Sequence, residues 1–239
     1  MKNTFKRLIF SLLLFSCSCR HKVNFHPENE RIWLHRANTI EKAKKYQYKY
    51  GGLEIDVYFN DSLETFVVMH DFNDLPQLTL KEWCDSLDNI SQMGIWFDFK
   101  NLNADNSKNA LRNLKKIRRK HHMKGKLYVE SSSYKELQLF KKAGFLVSYY
   151  IPCFDPQKAD SATYQHWKEN IQNAIDDGIS AISGYDYQYH FMKKEFPEQP
   201  KLVWTESEDS SWQARFINIM EADSLVDVML LPLQKKNNH

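Results

Sequence analysis

The sequence predicts a (β/α)8 TIM barrel, and three observations carry the prediction. From Ile32 to Leu231, short apolar runs alternate with amphipathic helical patterns, the signature of repeated β/α units on a parallel sheet. No stretch rich in Pro, Gly or Ser divides the 239 residues, so they read as one domain large enough to enclose a core. An open doubly wound sheet is the alternative, but no glycine-rich phosphate loop follows the first apolar run.

The elements follow in order. Ile32 to Leu34 is the first strand, and Thr39 to Lys49 a helix capped by Asn38 or Thr39. Leu53 to Val57 is the second strand. Phe66 to Met69, after the turn "NDS", reads as an extra strand or hairpin arm, and "LTLKEWCDSL" as a helix. Gly94 to Phe99 is the third barrel strand, followed by a long helix from about Ala104 to His122. The remaining strands are Leu127 to Val129, Phe145 to Tyr149, Ile179 to Ser183, Leu202 to Trp204 and Val226 to Leu231. Helices at Tyr134 to Ala143, Ala162 to Asp176, Tyr187 to Glu195 and Ser211 to Ala222 separate them.

The second strand poses a question of energetics. In "GGLEIDVYFN", Glu54 and Asp56 alternate with Leu53, Ile55 and Val57, whereas a parallel strand covered on both faces normally runs apolar throughout. Two like charges buried together are costly without a cation. Functional side chains of such a barrel sit at the carboxyl ends of its strands. There the sequence offers His35 and Arg36, then Glu54 and Asp56, then His70 and Asp71 after the arm, then Asp98 and Lys100. Residues two apart share a face, so Glu54, Asp56, Asp98 and Lys100 point inward while Ile55, Phe97 and Phe99 face the helices.

Three carboxylates in one mouth suit Mg²⁺ or Ca²⁺, which prefer oxygen ligands, better than zinc. Lys100 and Arg36 remain to hold an anionic substrate, and two histidines are the natural acid and base near neutral pH. Together these residues describe phosphoester chemistry. A purely structural cluster, with Glu54 and Asp56 salt-bridged to Arg36 and Lys100, is the alternative. Glu130 and the run "SSS" after it, Tyr149 and Tyr150, and Trp204 are further candidates to line a substrate pocket.

At the N-terminus, Lys2, Lys6 and Arg7 precede the apolar run Leu8 to Phe15, too short to span a bilayer but typical of a secretory signal. "LLFSCSC" resembles a bacterial lipobox, which implies cleavage after residue 16 and diacylation of Cys17. The expected organisation is a leader over 1–16, a polar tether over 17–28, and one domain over 29–239, held outside the cytoplasm on a membrane through its lipid. An ordinary signal peptide is the alternative.

Charge excludes other classes. With 33 basic and 30 acidic residues, the net charge of +3 gives no nucleic-acid footprint, and a monomer is expected. The basic stretch Lys108 to Lys126 reads as the solvated face of an amphipathic helix, with a phosphate-binding patch as the alternative. Cys84 and Cys153 are expected as two buried free thiols, a single bridge between them being the other possibility.

"LHRAN", "LEIDVYF", "VVMHDF" and "IWFDFK", in this order, resemble the phospholipase C-like phosphodiesterase superfamily, which contains glycerophosphodiester phosphodiesterases, sphingomyelinase D-like toxins and the menorin proteins. The match covers Trp33 to Lys100, and the remainder only through strand rhythm and "VWTES". The resemblance implies a TIM barrel in which His35 and His70 are the acid/base pair. It also implies that Glu54, Asp56 and Asp98 are metal ligands and that Lys100 and Arg36 contact phosphate. Ala37 stands where glycerophosphodiesterases carry glycine and Asp98 where they carry Glu, while the spacing from His35 to Asn38 and the Asp98–Lys100 pair are more similar to the sphingomyelinase D and menorin side.

The expected function is therefore a divalent-cation-dependent phosphodiesterase acting on a glycerophosphodiester or phospholipid-type diester. A non-catalytic member that binds a phosphorylated head group or a protein partner, and a metal-dependent lyase on the same barrel, are the rivals.

Overall fold

The computed structural model describes residues 27, 29–71 and 78–235; the expected leader, Cys17 and nearly all of the tether lie outside the described residues. In chain order the elements begin β1 (Ile32–Leu34), α1 (Ile40–Tyr46), β2 (Gly52–Asn60), β3 (Thr65–Val68), β4 (Leu78–Thr79), α2 (Leu80–Asp85) and β5 (Gly94–Phe99). They continue with α3 (Ser107–Lys120), β6 (Leu127–Ser131), α4 (Tyr134–Lys142), β7 (Leu146–Tyr150), α5 (Ser161–Asp176) and β8 (Ala181–Tyr185). A short 3₁₀ turn, α6 (Tyr189–Glu195), β9 (Lys201–Trp204), α7 (Ser210–Glu221) and β10 (Val226–Leu231) complete the chain.

Eight of the strands, β1, β2 and β5 to β10, form a closed parallel barrel, because β1 pairs with β10 on one side and with β2 on the other. The helices pack outside. Ile55, Phe97 and Phe99 sit in the layer between strands and helices, as alternation predicts. The barrel interior holds a second, separate core of Trp33, Trp96, Tyr128, Ala181, Leu202, Trp204, Val228 and Leu230.

Trp33 closes the base of this interior, and two glycines make room for it. A Cβ at Gly52 or Gly94 would lie 2.4 Å or 2.2 Å from the Trp33 indole, well inside van der Waals contact. Trp33 then meets Tyr128 edge to face at 6.3 Å, and Trp96 meets Trp204 at 6.0 Å. With this core filling its lower half, the barrel opens at the carboxyl ends of its strands.

β2 runs past the barrel rim, and its last residues pair antiparallel with β3, from Val57↔Val68 to Asn60↔Thr65. This hairpin returns the chain to the mouth, where Met69 N donates to Asp56 O at 3.2 Å and His70 follows. The extra strand expected at Phe66 to Met69 is thus the arm that carries the second histidine back. β7 and β8 begin one and two residues later than the sequence pattern suggests. Among the described residues both cysteines are free; Cys84 is buried as expected, but Cys153 is exposed, its Sγ 3.3 Å from the Tyr187 hydroxyl.

Candidate active site

The turn after β1 is built around Glu54. Arg36 takes a left-handed backbone, φ 52°, a conformation that costs a side-chain-bearing residue about 1 kcal/mol. The turn places Arg36 N on Glu54 Oε2 at 2.6 Å, while Ala37 N donates to Glu54 O at 2.8 Å. Lys42, one turn into α1, donates to the carbonyls of His35 and Arg36, each at 2.8 Å. Thr39 caps α1, so the Asn38 amide turns to Asp56 instead. Its Nδ2 donates to Asp56 Oδ2 at 2.6 Å and its Oδ1 accepts from Asp56 N at 3.0 Å.

Register then assembles the carboxylates. Asp56 lies beside Asp98, and Asp98 beside Glu130, on three successive strands. Glu54, Asp56 and Asp98 each bring one oxygen to within 4.8 Å of the others. Lys100 Nζ lies 2.8 Å from Asp56 Oδ1 and also bonds Asp98 Oδ2. Glu54 Oε1 is buried with no hydrogen-bond partner.

The electrostatics record the crowding. Burial, with Asp56 and Asp98 adding to it, pushes the Glu54 carboxyl well above the usual carboxylate range. Asp98 is pushed up to about 6, chiefly by burial, with Lys100 opposing. Burial disfavours the charge on Lys100, but Asp98 and Asp56 outweigh it and raise its pKa. An orphaned buried carboxylate oxygen beside two further carboxylates fits a divalent cation. One ammonium group does not reach it.

His35 and His70 flank the cluster. His35 Nε2 stands 3.9 Å from Glu54 Oε2, and burial, then Arg36, pulls its imidazole down to about 3, so it is neutral at physiological pH and this contact is no ion pair. His70 is at the rim, its Nδ1 3.0 Å from Asp71 Oδ2. Arg36 reaches outward instead, its Nη2 3.1 Å from Glu206 Oε1, both side chains exposed.

These residues line a cavity of about 270 Å³ whose far wall is Trp96, Glu130, Tyr150, Tyr185 and Trp204. Tyr150 stacks on Trp204 at 5.5 Å and 17°, and Tyr185 meets the same indole at 4.9 Å. Glu130 is buried, accepts from Ser183 Oγ at 3.0 Å, and is raised above the usual carboxylate range by burial and then by Asp98.

Of the residues singled out from the sequence, His35, Arg36, Glu54, Asp56, His70, Asp98, Lys100, Glu130 and Trp204 all border this cavity. Tyr149 does not: it is a buried outer-layer residue packed edge-on against Tyr134 at 5.6 Å. The reason is parity. Ser148 and Glu130 are neighbours in register, so the inward positions of β7 are Ser148 and Tyr150. Sequence reasoning treats Asn38 only as a helix cap and does not find Glu206, Trp96 or Tyr185. Trp96 and Tyr185 are accessible by counting two residues from Asp98 and Ser183; the pairing of Glu206 with Arg36, across 170 positions, carries no local signal.

No protein-family model matches the chain, and no curated protein does. Solved structures share its fold. The chain is similar to a glycerophosphodiester phosphodiesterase from Parabacteroides distasonis, with 14% identity, TM-score 0.55, and 87% of this chain and 94% of that one covered. It is also similar to an Oleispira antarctica phosphodiesterase in complex with the product sn-glycerol-3-phosphate, with 13% identity, TM-score 0.57, and coverage of 84% and 92%. A calcium-dependent phosphoinositol-specific phospholipase C from Pseudomonas sp. gives 11% identity, TM-score 0.53, and coverage of 84% and 87%. The chain thus shares a TIM-barrel fold with these enzymes.

Proposed function

We propose that the protein is a phosphodiesterase dependent on Mg²⁺ or Ca²⁺, acting on a glycerophosphodiester or phospholipid-type phosphodiester from outside the cytoplasm, where a lipid on Cys17 anchors it. The observation that carries this reading is the partnerless Glu54 Oε1, buried beside Asp56 and Asp98 and flanked by two histidines. The shared fold with glycerophosphodiester phosphodiesterases and a phospholipase C supports it.

Glu54, Asp56 and Asp98 would hold the cation, which when bound supplies a Lewis acid for a phosphate oxygen. Asn38 fixes Asp56 in place from two sides. His35, held neutral by burial, takes the proton of the attacking hydroxyl, belonging to water or to the substrate itself, as its oxygen bonds to phosphorus. His70 returns a proton to the alkoxide oxygen as the second phosphorus–oxygen bond breaks. Lys100 and Arg36 offset the charge that gathers on the phosphoryl oxygens. Glu130, Tyr150, Tyr185 and Trp204 receive the rest of the substrate.

The contacts of Lys100 with both Asp56 and Asp98 favour a second reading, a metal-free structural cluster in a protein that binds but does not cleave. Purified protein with Mg²⁺ or Ca²⁺, assayed against glycerophosphodiesters, lysophospholipids and a chromogenic phosphodiester, separates the two. Cation-dependent release of product is expected. Failure to cleave any of them with either cation, in folded protein, overturns the enzymatic reading.

A further inference from the structure

Helix α3 and the turn after it carry a second feature unrelated to the mouth. Residues 107–126 contain nine Lys or Arg and no acidic residue. Ala110, Leu114 and Ile117 bury one face of the helix against the barrel, so the cations occupy the other. Arg118 is absorbed by structure: it lies 5.0 Å over the Phe145 ring and donates to Gly144 O at 3.0 Å. Lys120 and Lys126 are ion-paired with Asp85 and Asp227. Among the described residues no ion pair engages Arg112, Lys115, Lys116, Arg119 or Lys124. With His122 they line one open groove beside Ala143.

Complementing the helix dipole needs cations only in the last turn, which accounts for Arg119 but not for Arg112, Lys115, Lys116 or Lys124. The spacings Arg112 to Lys116 and Lys115 to Arg119 are i,i+4 pairs of like charge, which destabilise an isolated helix. A surface that accepts this repulsion with no interleaved carboxylate is complementary to a polyanion.

The position of the groove in the fold narrows the identity of the polyanion. α3 descends from the mouth, and the turn after it passes under the start of β5, where Lys124 N donates to Ser91 O at 2.9 Å and Gly125 packs on the Met93 carbonyl. The chain enters β1 at this same end of the barrel. The groove presents no Phe, Tyr or Trp side chain on which a base could stack, which disfavours single-stranded nucleic acid. We propose that this basic face docks on an anionic phospholipid surface and holds the barrel base-down, so that the mouth opens to water and takes a soluble diester. Only that last consequence rests on the phosphodiesterase reading.

The test is co-sedimentation of the full chain with vesicles of phosphatidylcholine alone or with added phosphatidylglycerol, at low and high salt. Lys2, Lys6 and Arg7 of the leader also favour anionic lipid, so the part of the anionic-lipid increment lost when the basic face is neutralised, with the leader unchanged, reads the basic face. That increment should be at least about tenfold at low salt, as about fivefold per engaged cation implies, and should shrink in high salt. It should fall at least about tenfold in a combined Lys115→Glu, Lys116→Glu, Arg119→Glu and Lys124→Glu variant whose melting temperature and catalytic activity match the parent. A variant that keeps the increment overturns the proposal, as does displacement of the parent by a single-stranded oligonucleotide at phosphate concentrations equal to those of the lipid. Vesicle-bound parent should hydrolyse a soluble glycerophosphodiester as fast as free parent. Slowing on vesicles would overturn the base-down orientation, whereas inactivity of free parent too would instead contradict the enzymatic reading.

Discussion

Asn38 grips Asp56 at both ends of its own amide, donating to Oδ2 at 2.6 Å and accepting from the Asp56 backbone at 3.0 Å. The loop after β1 is thereby fastened to the carboxylate at the centre of the site. Asn38→Ala leaves a buried backbone N–H and a carboxylate oxygen short of partners, so it should cost about 1–3 kcal/mol of stability. Affinity for the cation should fall roughly 10- to 100-fold, since a residue that orients a ligand is being removed. Calorimetric titration with Mg²⁺ or Ca²⁺ and a denaturant melt check the two effects separately. Unchanged cation affinity would make Asn38 merely structural.

His35 and His70 both line the cavity that the carboxylates border. Alanine at either should lower kcat by about two to four orders of magnitude while cation affinity stays near the parent's. Full turnover in His35→Ala would remove it from the mechanism.

The wall of the pocket offers a test of strand parity. Tyr150→Ala removes the ring stacked on Trp204 and should raise KM with little change in melting temperature. Tyr149→Phe, on the outward face, should leave KM as it is. A KM effect confined to Tyr149 would mean that the faces of β7 are reversed.

In chelator, stability should report Asp98. Its carboxyl has an ordinary pKa of 3.8 and about 6 in the fold, so between these values the folded chain binds more protons than the unfolded one. Stability from this group therefore falls as pH rises from about 4 to about 6. His35, held down to about 3, acts in the opposite sense below its ordinary 6.5, but equally in parent and variant. Asp98→Asn should thus gain melting temperature relative to the parent as pH is raised across that window. A gap that narrows would show that Asp98 is stabilised as a carboxylate by Lys100.

Much of the fold and site is legible in the sequence because it depends on short-range rules. Period-two alternation places Glu54, Asp56, Asp98 and Lys100 on the inner face and Phe97 and Phe99 on the outer one. The eight-strand rhythm survives errors in individual boundaries, since closure depends on strand number and order. Local parity and long-range pairing are not legible in the same way. Of Tyr149 and Tyr150, both candidates from the sequence, only the pairing of Glu130 with Ser148 shows that Tyr150 faces the cavity, and no periodicity reports that Asn38 faces Asp56 or that Arg36 meets Glu206. Nothing local in the sequence explains the glycines at 52 and 94, whose missing Cβ atoms leave room for the Trp33 indole.

Glu54 is the residue on which the metal site depends. Glu54→Gln keeps an acceptor for Arg36 N and replaces the orphaned Oε1 by an amide that can donate to its carboxylate neighbours, at nearly constant volume. The decisive measurement is the melting temperature of parent and Glu54→Gln, each with chelator and with Mg²⁺ or Ca²⁺. Without metal the variant should melt level with or above the parent, because a repelling charge is gone; cation should then raise the parent by mass action and the variant much less. A variant that melts well below the parent in chelator, with a parent indifferent to both cations, would contradict the metal site and the phosphodiesterase built on it.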